Sequence, residues 1–535
     1  MSVIWGLGTI GLSGFKITML TGMIPPLIIV IGIPNSVFML NKYHQEVRKH
    51  GNKIRALQRV IQKTGSATFL TNLTTAIGFG TFMITNSRLL VEFGIITSIN
   101  IMFIFVISIL LIPIVFSFIS TPNEKNVKHL DNKLLINAIN RLLILSLKYR
   151  KPVFLIAPLL LIAGIIGISR IETTGYMIDD VPREKELCSD LKFFEQNFKG
   201  LMPLEIMVDT KKPNGILQTA NMQKVDKLQD TLANMSELSK SLSYIEIVKF
   251  ARQAYYNGIP EYFGIPNRQE QNFIMSYLQK ENNNDEIMRV MNSFIDTSRQ
   301  SIRISLRMAD IGTLKMETLN NKINTIIEET FPKEEYDTLI TGSSVIFFKG
   351  TSYLIRNLLV SLFFAVFLIA TFMAIIFKSK RMVFASMIPN FFPLVITAAL
   401  MGIFGIPVKP STVLVFSVAF GISVDGTIHF LAKYRQELGK TNWSMRAAVV
   451  LALKEAGISM IYTSIILLAG FGIFCLSDFG GTAALGMLVG LTLLIALFSN
   501  LILLPSLLIA MERRLTNKSF KKPLIEIFDE ENDDK

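Results

Sequence analysis

The chain has 535 residues, 50% of them hydrophobic and only 18% charged, where soluble domains carry roughly 25% charged residues; an ordinary soluble domain is excluded, and a polytopic membrane protein is the first expectation. A net charge of +13 raises nucleic acid as a partner, but Lys and Arg gather beside apolar runs, which is the positive-inside pattern rather than a nucleic-acid groove. Cys188 and Cys475 are the only cysteines, so no disulfide framework is implied.

In chain order, the first apolar run, residues 3–12, is too short to span a bilayer, which takes ~20 residues. It also lacks the basic flank and cleavage site of a signal peptide. Residues 17–40 form a full span whose Pro25, Pro26 and Pro34 predict a kinked or broken helix. Residues 41–64 are rich in Lys and Arg, with Glu46 as the one acid, and read as an amphipathic helix on the cytoplasmic surface. Spans at 67–84 and 89–118 are joined by a short turn at Asn86-Ser87-Arg88, and a polar, basic linker leads to a span from 152. The composition then turns polar. Residues 204–208 and 301–306 read as strands, 220–239 and 312–329 as helices. Five further spans follow at 353–377, 382–406, 410–432, 457–477 and 481–511.

The chain so read divides into a first transmembrane bundle (1–119), a cytoplasmic linker (120–151), a span (152–170), an α+β domain (171–352), a second bundle of five spans (353–511) and a charged cytoplasmic tail (512–535). The segments 41–64, 120–151, 378–381, 433–456 and 512–522 all carry excess Lys and Arg. Counting the short first run, ten crossings place all of them on one side, with both termini. The domain at 171–352 falls on the other side, which in a bacterium is the periplasm.

The sequence repeats itself at an offset of 391 to 392. Gly11 and Gly14 match Gly402 and Gly405, Lys42-Tyr43 matches Lys433-Tyr434, Gln45-Glu46 matches Gln436-Glu437, and Gly78-Phe79-Gly80 matches Gly470-Phe471-Gly472. Arg55, Lys63, Gly94 and Pro113 likewise match Arg446, Lys454, Gly486 and Pro505. Equal numbers of spans lie between matched points, so the bundles are parallel repeats about an axis along the membrane normal. The first copy lacks counterparts of the span at 152–170, the α+β domain and the span at 353–377. An N-terminal part ahead of residue 1 is therefore expected, with a natural half-size form as the alternative.

Within the run 411–438 sit Asp425 and, one helical turn on, His429. A carboxylate at the centre of a membrane helix costs roughly 2.5–3.5 kcal/mol on insertion scales, a cost usually tolerated for an ion or proton relay. The alternative is a structural Asp tied to a neighbouring helix. Residues at i and i+4 share one helix face, and an imidazole can accept, donate or shuttle a proton; a plain helix-packing hydrogen bond is the other reading of His429. Gly421, Ser423 and Gly426 are expected to let the twin helix approach closely, with Gly32 and Ser36 on that twin. The offset sets Pro34 opposite Asp425, with Asn35 one place later, and Phe38 opposite His429. Asn35 could hydrogen-bond to either protonation state of Asp425. Thr463 and Ser464 are further relay candidates, although they can also bond back to their own helix. Gly439-Lys440-Thr441 ends like a phosphate-binding loop, but Tyr434 stands where its first Gly belongs. No metal-ligand cluster, nucleophile triad or cofactor motif is visible in the sequence, and an enzyme is not expected.

The stretch Gly421-Ile422-Ser423-Val424-Asp425-Gly426-Thr427-Ile428-His429-Phe430, followed by Lys433-Tyr434-Arg435-Gln436-Glu437, resembles the resistance–nodulation–division (RND) superfamily. The nearer resemblance is to its MmpL-like, hydrophobe/amphiphile exporter-3 branch, which is distantly related to Patched and sterol-sensing proteins. Pro389-Asn390-Phe391-Phe392-Pro393, Thr74-Thr75-Ala76-Ile77-Gly78-Phe79 and Glu92-Phe93-Gly94 also fit. The resemblance implies a polytopic α-helical membrane protein, an RND-like parallel repeat of helix bundles with an extracytoplasmic, porter-like α+β domain. It further implies proton-gradient-driven export or trafficking of hydrophobic or amphiphilic molecules, envelope lipids above all, at the bacterial inner membrane. Partners would be that cargo and the membrane, with a homo-oligomer or a periplasmic partner left open and no nucleic acid. Family members carry acids on the fourth and tenth helices of the complete protein. Here Asp425 matches the tenth, whereas Pro34-Asn35 departs from the fourth, so coupling in that copy is in doubt. A non-transporting receptor or accessory protein of the sterol-sensing or scaffold kind is the alternative.

Overall fold

In lipid every backbone amide must be satisfied within its own segment, so uncharged runs of Leu, Ile, Val and Phe become helices. The computed structural model describes residues 1–122, 133–171, 186–280 and 285–511. Two compact units result, Met1–Glu172 with Leu354–Lys535, and Thr173–Tyr353. Among the described residues, nine helices are long and apolar enough to cross a membrane, and the apolar helix Ser2–Leu12 is shorter.

The first part of the membrane unit comprises α1 (Ser2–Leu12), α2 (Ile24–His50), α3 (Lys53–Gly80), α4 (Arg88–Phe118), α5 (Lys133–Leu147) and α6 (Arg150–Ile168). The expected break in the second apolar run lies at Met23, before α2; Pro25 and Pro26 occupy its first turn, where a missing N–H costs little, and the helix runs on through Pro34. The basic segment 41–64 is not a separate surface helix. It forms the end of α2 and the start of α3, which meet at Gly51 (φ +64°) and the N-cap Asn52. Lys and Arg are good helix formers, so the helices continue past the apolar stretch. In the linker expected at 120–151, residues 133–147 form α5, while 123–132 and the tail at 512–535 lie outside the described residues.

The polar unit begins with α7 (Glu186–Phe198) and is built on a three-stranded antiparallel sheet, β1 (Met202–Asp209), β2 (Ser301–Met308) and β3 (Asp337–Thr341), in the order β2-β1-β3. Ile206 pairs with Ile304 on one side and Ile340 on the other. Period-two alternation buries Leu204, Ile206, Val208, Ile302, Ile304 and Leu306 on one face. Against that face pack α8 (Thr219–Ala233), through Val225 and Leu228, and, after the connecting helices α9 (Tyr244–Tyr255), α10 (Arg268–Lys280) and α11 (Asp285–Asn292), the helix α12 (Gly312–Thr330), through Leu319 and Ile323. Helix α8 stops at Ala233 rather than at 239 because the chain turns back there, letting Leu238 bridge Met308 and Leu242 bridge Ser305.

The rest of the membrane unit comes from α13 (Ser343–Phe377) from Leu354 onward, α14 (Lys380–Ile403), α15 (Pro410–Lys440), α16 (Met445–Gly472), α17 (Gly480–Phe498), a π-helical turn Ser499–Leu503 and α18 (Leu504–Ala510). Here too the basic segment 433–456 extends two helices rather than forming a loop. The parallel repeat is visible atom by atom. Gly14 and Gly405 take φ values of +67° and +65°. A Cβ on Gly94 would lie 2.8 Å from Phe79 O and 2.9 Å from Phe82 Cβ, and one on Gly486 would lie 2.6 Å from Phe471 O and 2.6 Å from Phe474 Cβ.

Candidate functional site

Helix α15 is buried along most of its length because small and polar residues (Gly421, Ser423, Gly426 and Thr427) let neighbours close on it. The side chain of Asp425 accepts a hydrogen bond from the Thr75 hydroxyl of α3, which lies 3.0 Å from Oδ1 and 3.2 Å from Oδ2. Thr75 was not singled out from the sequence as a partner of this acid, although it lies in one of the stretches that carry the resemblance. Its Oγ1 also lies 3.0 Å from Thr71 O and 3.3 Å from Gly421 O, so the hydroxyl has competing acceptors. Asp425 borders a cavity of about 70 Å³ together with Pro34, Asn35, His429, Thr463 and Ser464.

Several candidates take other partners than those expected. Asn35 shares the cavity, but its Nδ2 donates to Asn72 Oδ1 at 2.8 Å, so it does not bond to Asp425. Thr463 lines the cavity with its hydroxyl donated back to Met460 O at 3.0 Å. The small residues do not pack twin on twin. Gly421 faces α3, with its Cα 3.6 Å from the Cβ position of Gly78; Gly32 faces Ile104 of α4; Gly426 faces Asn500 and Met460. Ser36 bonds back to Gly32 O at 3.4 Å. The residues mispredicted are those whose helix face depends on the crossing geometry, which the sequence pattern leaves open.

The twin helices α2 and α15 do meet at one matched pair. Phe38 and His429, equivalent under the repeat, stack with ring centroids 3.9 Å apart and planes at 28°. His429 Nδ1 is buried and meets no hydrogen-bond partner among the described residues. Behind Asp425, a neutral network fixes the other side of α15. Ser423 donates to Asn390 Oδ1 at 2.9 Å, and the Thr427 hydroxyl lies 2.7 Å from Asn500 Oδ1. The π-helical turn after α17 carries Asn500 into this network, as such turns often do at functional sites.

One helical turn beyond His429, at a neighbouring cavity, the side chains become charged. Lys42 pairs with Glu46 at 3.5 Å, and its equivalent Lys433 pairs with Glu437 at 2.8 Å. Glu455 of α16 is shared by Lys42, at 3.7 Å, Lys49, at 3.3 Å, and Lys433. Among the described residues no group of three or more His, Cys, Asp or Glu is placed to hold a metal.

The N-terminal residues 1–118 match the Patched SSD family model. The chain is 32% identical over 136 residues to the "Hopanoid transporter HpnN" of Burkholderia multivorans, a stretch covering 24% of this chain and 15% of that protein. It is 28% identical over 113 residues to "Putative membrane protein MJ1562" of Methanocaldococcus jannaschii, covering 21% of this chain and 29% of that protein. The aligned parts are thus well under two thirds of either relative. A second family model reaches over residues 180–524, more than half of the chain, and with it the protein belongs to the MMPL family, polytopic membrane proteins of the RND kind.

Proposed function

We propose that the protein uses a proton gradient to export or traffic hydrophobic or amphiphilic molecules, envelope lipids being the cargo class, across or out of the bacterial inner membrane. The observation that carries this reading is Asp425, among the described residues the one acid lining a cavity inside the membrane bundle, held there by the Thr75 hydroxyl. Taking up a proton there removes a charge from a low-dielectric site and frees the Thr75 hydroxyl for its competing acceptors, so α15 gains an alternative packing against α3. Such a two-state element is what alternating access requires. A hopanoid transporter among the relatives supports a hydrophobic cargo.

The test is transport in vesicles with an imposed pH gradient. Asp425→Asn keeps size and hydrogen bonding while removing the titratable group; it should fold and lose gradient-driven transport. If it transports like the parent, Asp425 is structural. A receptor or accessory role is the second reading, favoured by Pro34 standing opposite Asp425 in the first copy and by the Patched SSD match; it wins if the parent moves no cargo under a gradient.

A further inference from the structure

Three cavities lie in series in the membrane unit. The first, of about 70 Å³, holds Asp425. A second, of about 50 Å³, is lined by Lys42, Gln45, Thr64, Lys433, Gln436 and Glu455, among others. A third, of about 400 Å³, opens among Arg48, Lys49 and Lys454. Each exceeds the roughly 10–15 Å³ that one water needs. Among the described residues, Phe38 and His429 alone belong to both the first and second linings, and Gln45 and Glu455 alone to both the second and third. The stacked rings of Phe38 and His429 are therefore the wall between the first two chambers, and Glu455 stands at the junction of the second and third.

The repeat gives this series a direction. Asp425, His429 and Glu455 correspond at one offset, 391, to Pro34, Phe38 and Thr64. At each of the three places the second copy carries a titratable group and the first copy does not. Several of the surrounding charged and polar residues are instead kept in both copies, as Lys42 and Lys433, Gln45 and Gln436, Glu46 and Glu437, although Arg48 and Arg59 correspond to Gly439 and Val450. The one-sided set tracks the cavities.

We infer that the proton bound at Asp425 leaves by this one lane, with the Phe38–His429 stack as its shutter and Glu455 as its outer port; the inference rests on Asp425 being the proton site. When the shutter opens, Asp425 gives its carboxyl proton to one nitrogen of His429, leaving a carboxylate and an imidazolium. The imidazolium returns to neutral by giving the proton on its other nitrogen to a water of the second chamber, and the carboxylate of Glu455 attracts the hydronium so formed. Nδ1 of His429, buried and without a partner in the closed stack, is free for one of these transfers. Among the described residues, the charged groups lining the second chamber are Lys42, Lys433 and Glu455, with Glu46, Glu437, Lys49 and Arg59 tied to them. Their opposite signs nearly cancel, so the chamber does not repel a passing proton as a purely cationic one would.

The test is proton flux into proteoliposomes holding the whole protein and a trapped pH dye, under a pH gradient and without cargo. Phe38→Ala removes half of the wall and should raise flux severalfold over the parent. Adding Asp425→Asn should return it to the parental level, and adding Glu455→Gln should lower it severalfold, while Glu455→Asp should retain the leak. If Phe38→Ala aggregates, Phe38→Leu, which keeps apolar bulk but cannot stack, replaces it. Parental flux in a folded Phe38 variant, or a leak indifferent to Glu455→Gln, overturns the inference. An Asp425-dependent leak in a protein that exports nothing keeps the lane and sinks the export reading. Asp425-dependent export without any Phe38-dependent leak does the reverse.

Discussion

Asp425 stands out in a sequence because an acid inside an apolar run has few reasons to be there. Its partner does not. Thr75 is one of six hydroxyl residues on α3, and others, such as Thr71 and Thr74, bond back to their own helix. Only the crossing of α3 and α15, set where Gly78 lets Gly421 approach, turns Thr75 toward the carboxylate. A hydrogen bond to a charged group is worth about 1.5–3 kcal/mol. Thr75→Val should thus cut gradient-driven transport about tenfold or more, while Thr75→Ser keeps most of it. In the polar unit, Asp296 closes the turn before β2 by accepting from the amides of Gln300 at 2.7 Å and Ser301 at 2.8 Å. Burial pushes its carboxyl pKa up, but the Ser298 hydroxyl and these amides outweigh that and hold it below the usual carboxylate range. A depressed folded value means that the turn's stabilisation is present above the unfolded pKa, about 3.9, and is lost as pH falls through the lower folded value. Hydrogen–deuterium exchange at Gln300 and Ser301, corrected for intrinsic rates, should show protection lost only below about pH 4 in the parent and already absent at neutral pH in Asp296→Ala.

At the scale of elements, every long apolar run became a helix, because lipid leaves the backbone no alternative. The ends were less legible. Hydropathy stops where charge begins, but α2, α3, α15 and α16 continue through basic segments whose lysines find Glu46 and Glu437 one turn along their own helices and Glu455 across the helices. Strand β3 escaped the sequence reading because it has five residues, shows no clean alternation, and owes its place to pairing with β1. Close helix contacts were also only partly legible. A Cβ on Gly402 would lie 2.0 Å from Gly167 O, whereas one on its repeat equivalent Gly11 would meet nothing within 4 Å. Gly402→Val should therefore force α14 from α6 and destabilise by about 1–3 kcal/mol, seen as a lower melting temperature in detergent. Gly11→Val should leave it nearly unchanged.

For the whole molecule, the repeat was readable where one backbone demand recurs in both copies, as the close contacts at Gly94 and Gly486 and the positive φ at Gly14 and Gly405 do. Sidedness, by contrast, rests on charge counts alone, and labelling decides it. In a protein carrying Cys475→Ser, an impermeant thiol reagent added from outside intact cells should reach Ser236→Cys in the polar unit and miss Ser444→Cys between α15 and α16; the reverse overturns the proposed orientation. With Asp425 as the proton site, as proposed, and the one acid lining the inner cavity among the described residues, a thermodynamic ceiling follows. A carrier with one titrating carboxylate moves one proton per cycle, and 100 mV across the membrane is worth ~2.3 kcal/mol per charge. At about 1.4 kcal/mol per factor of ten, such a machine with equal pH on both sides can hold at most a roughly fiftyfold imbalance of an uncharged cargo per 100 mV, and a steeper imbalance measured under those conditions would demand a second ion.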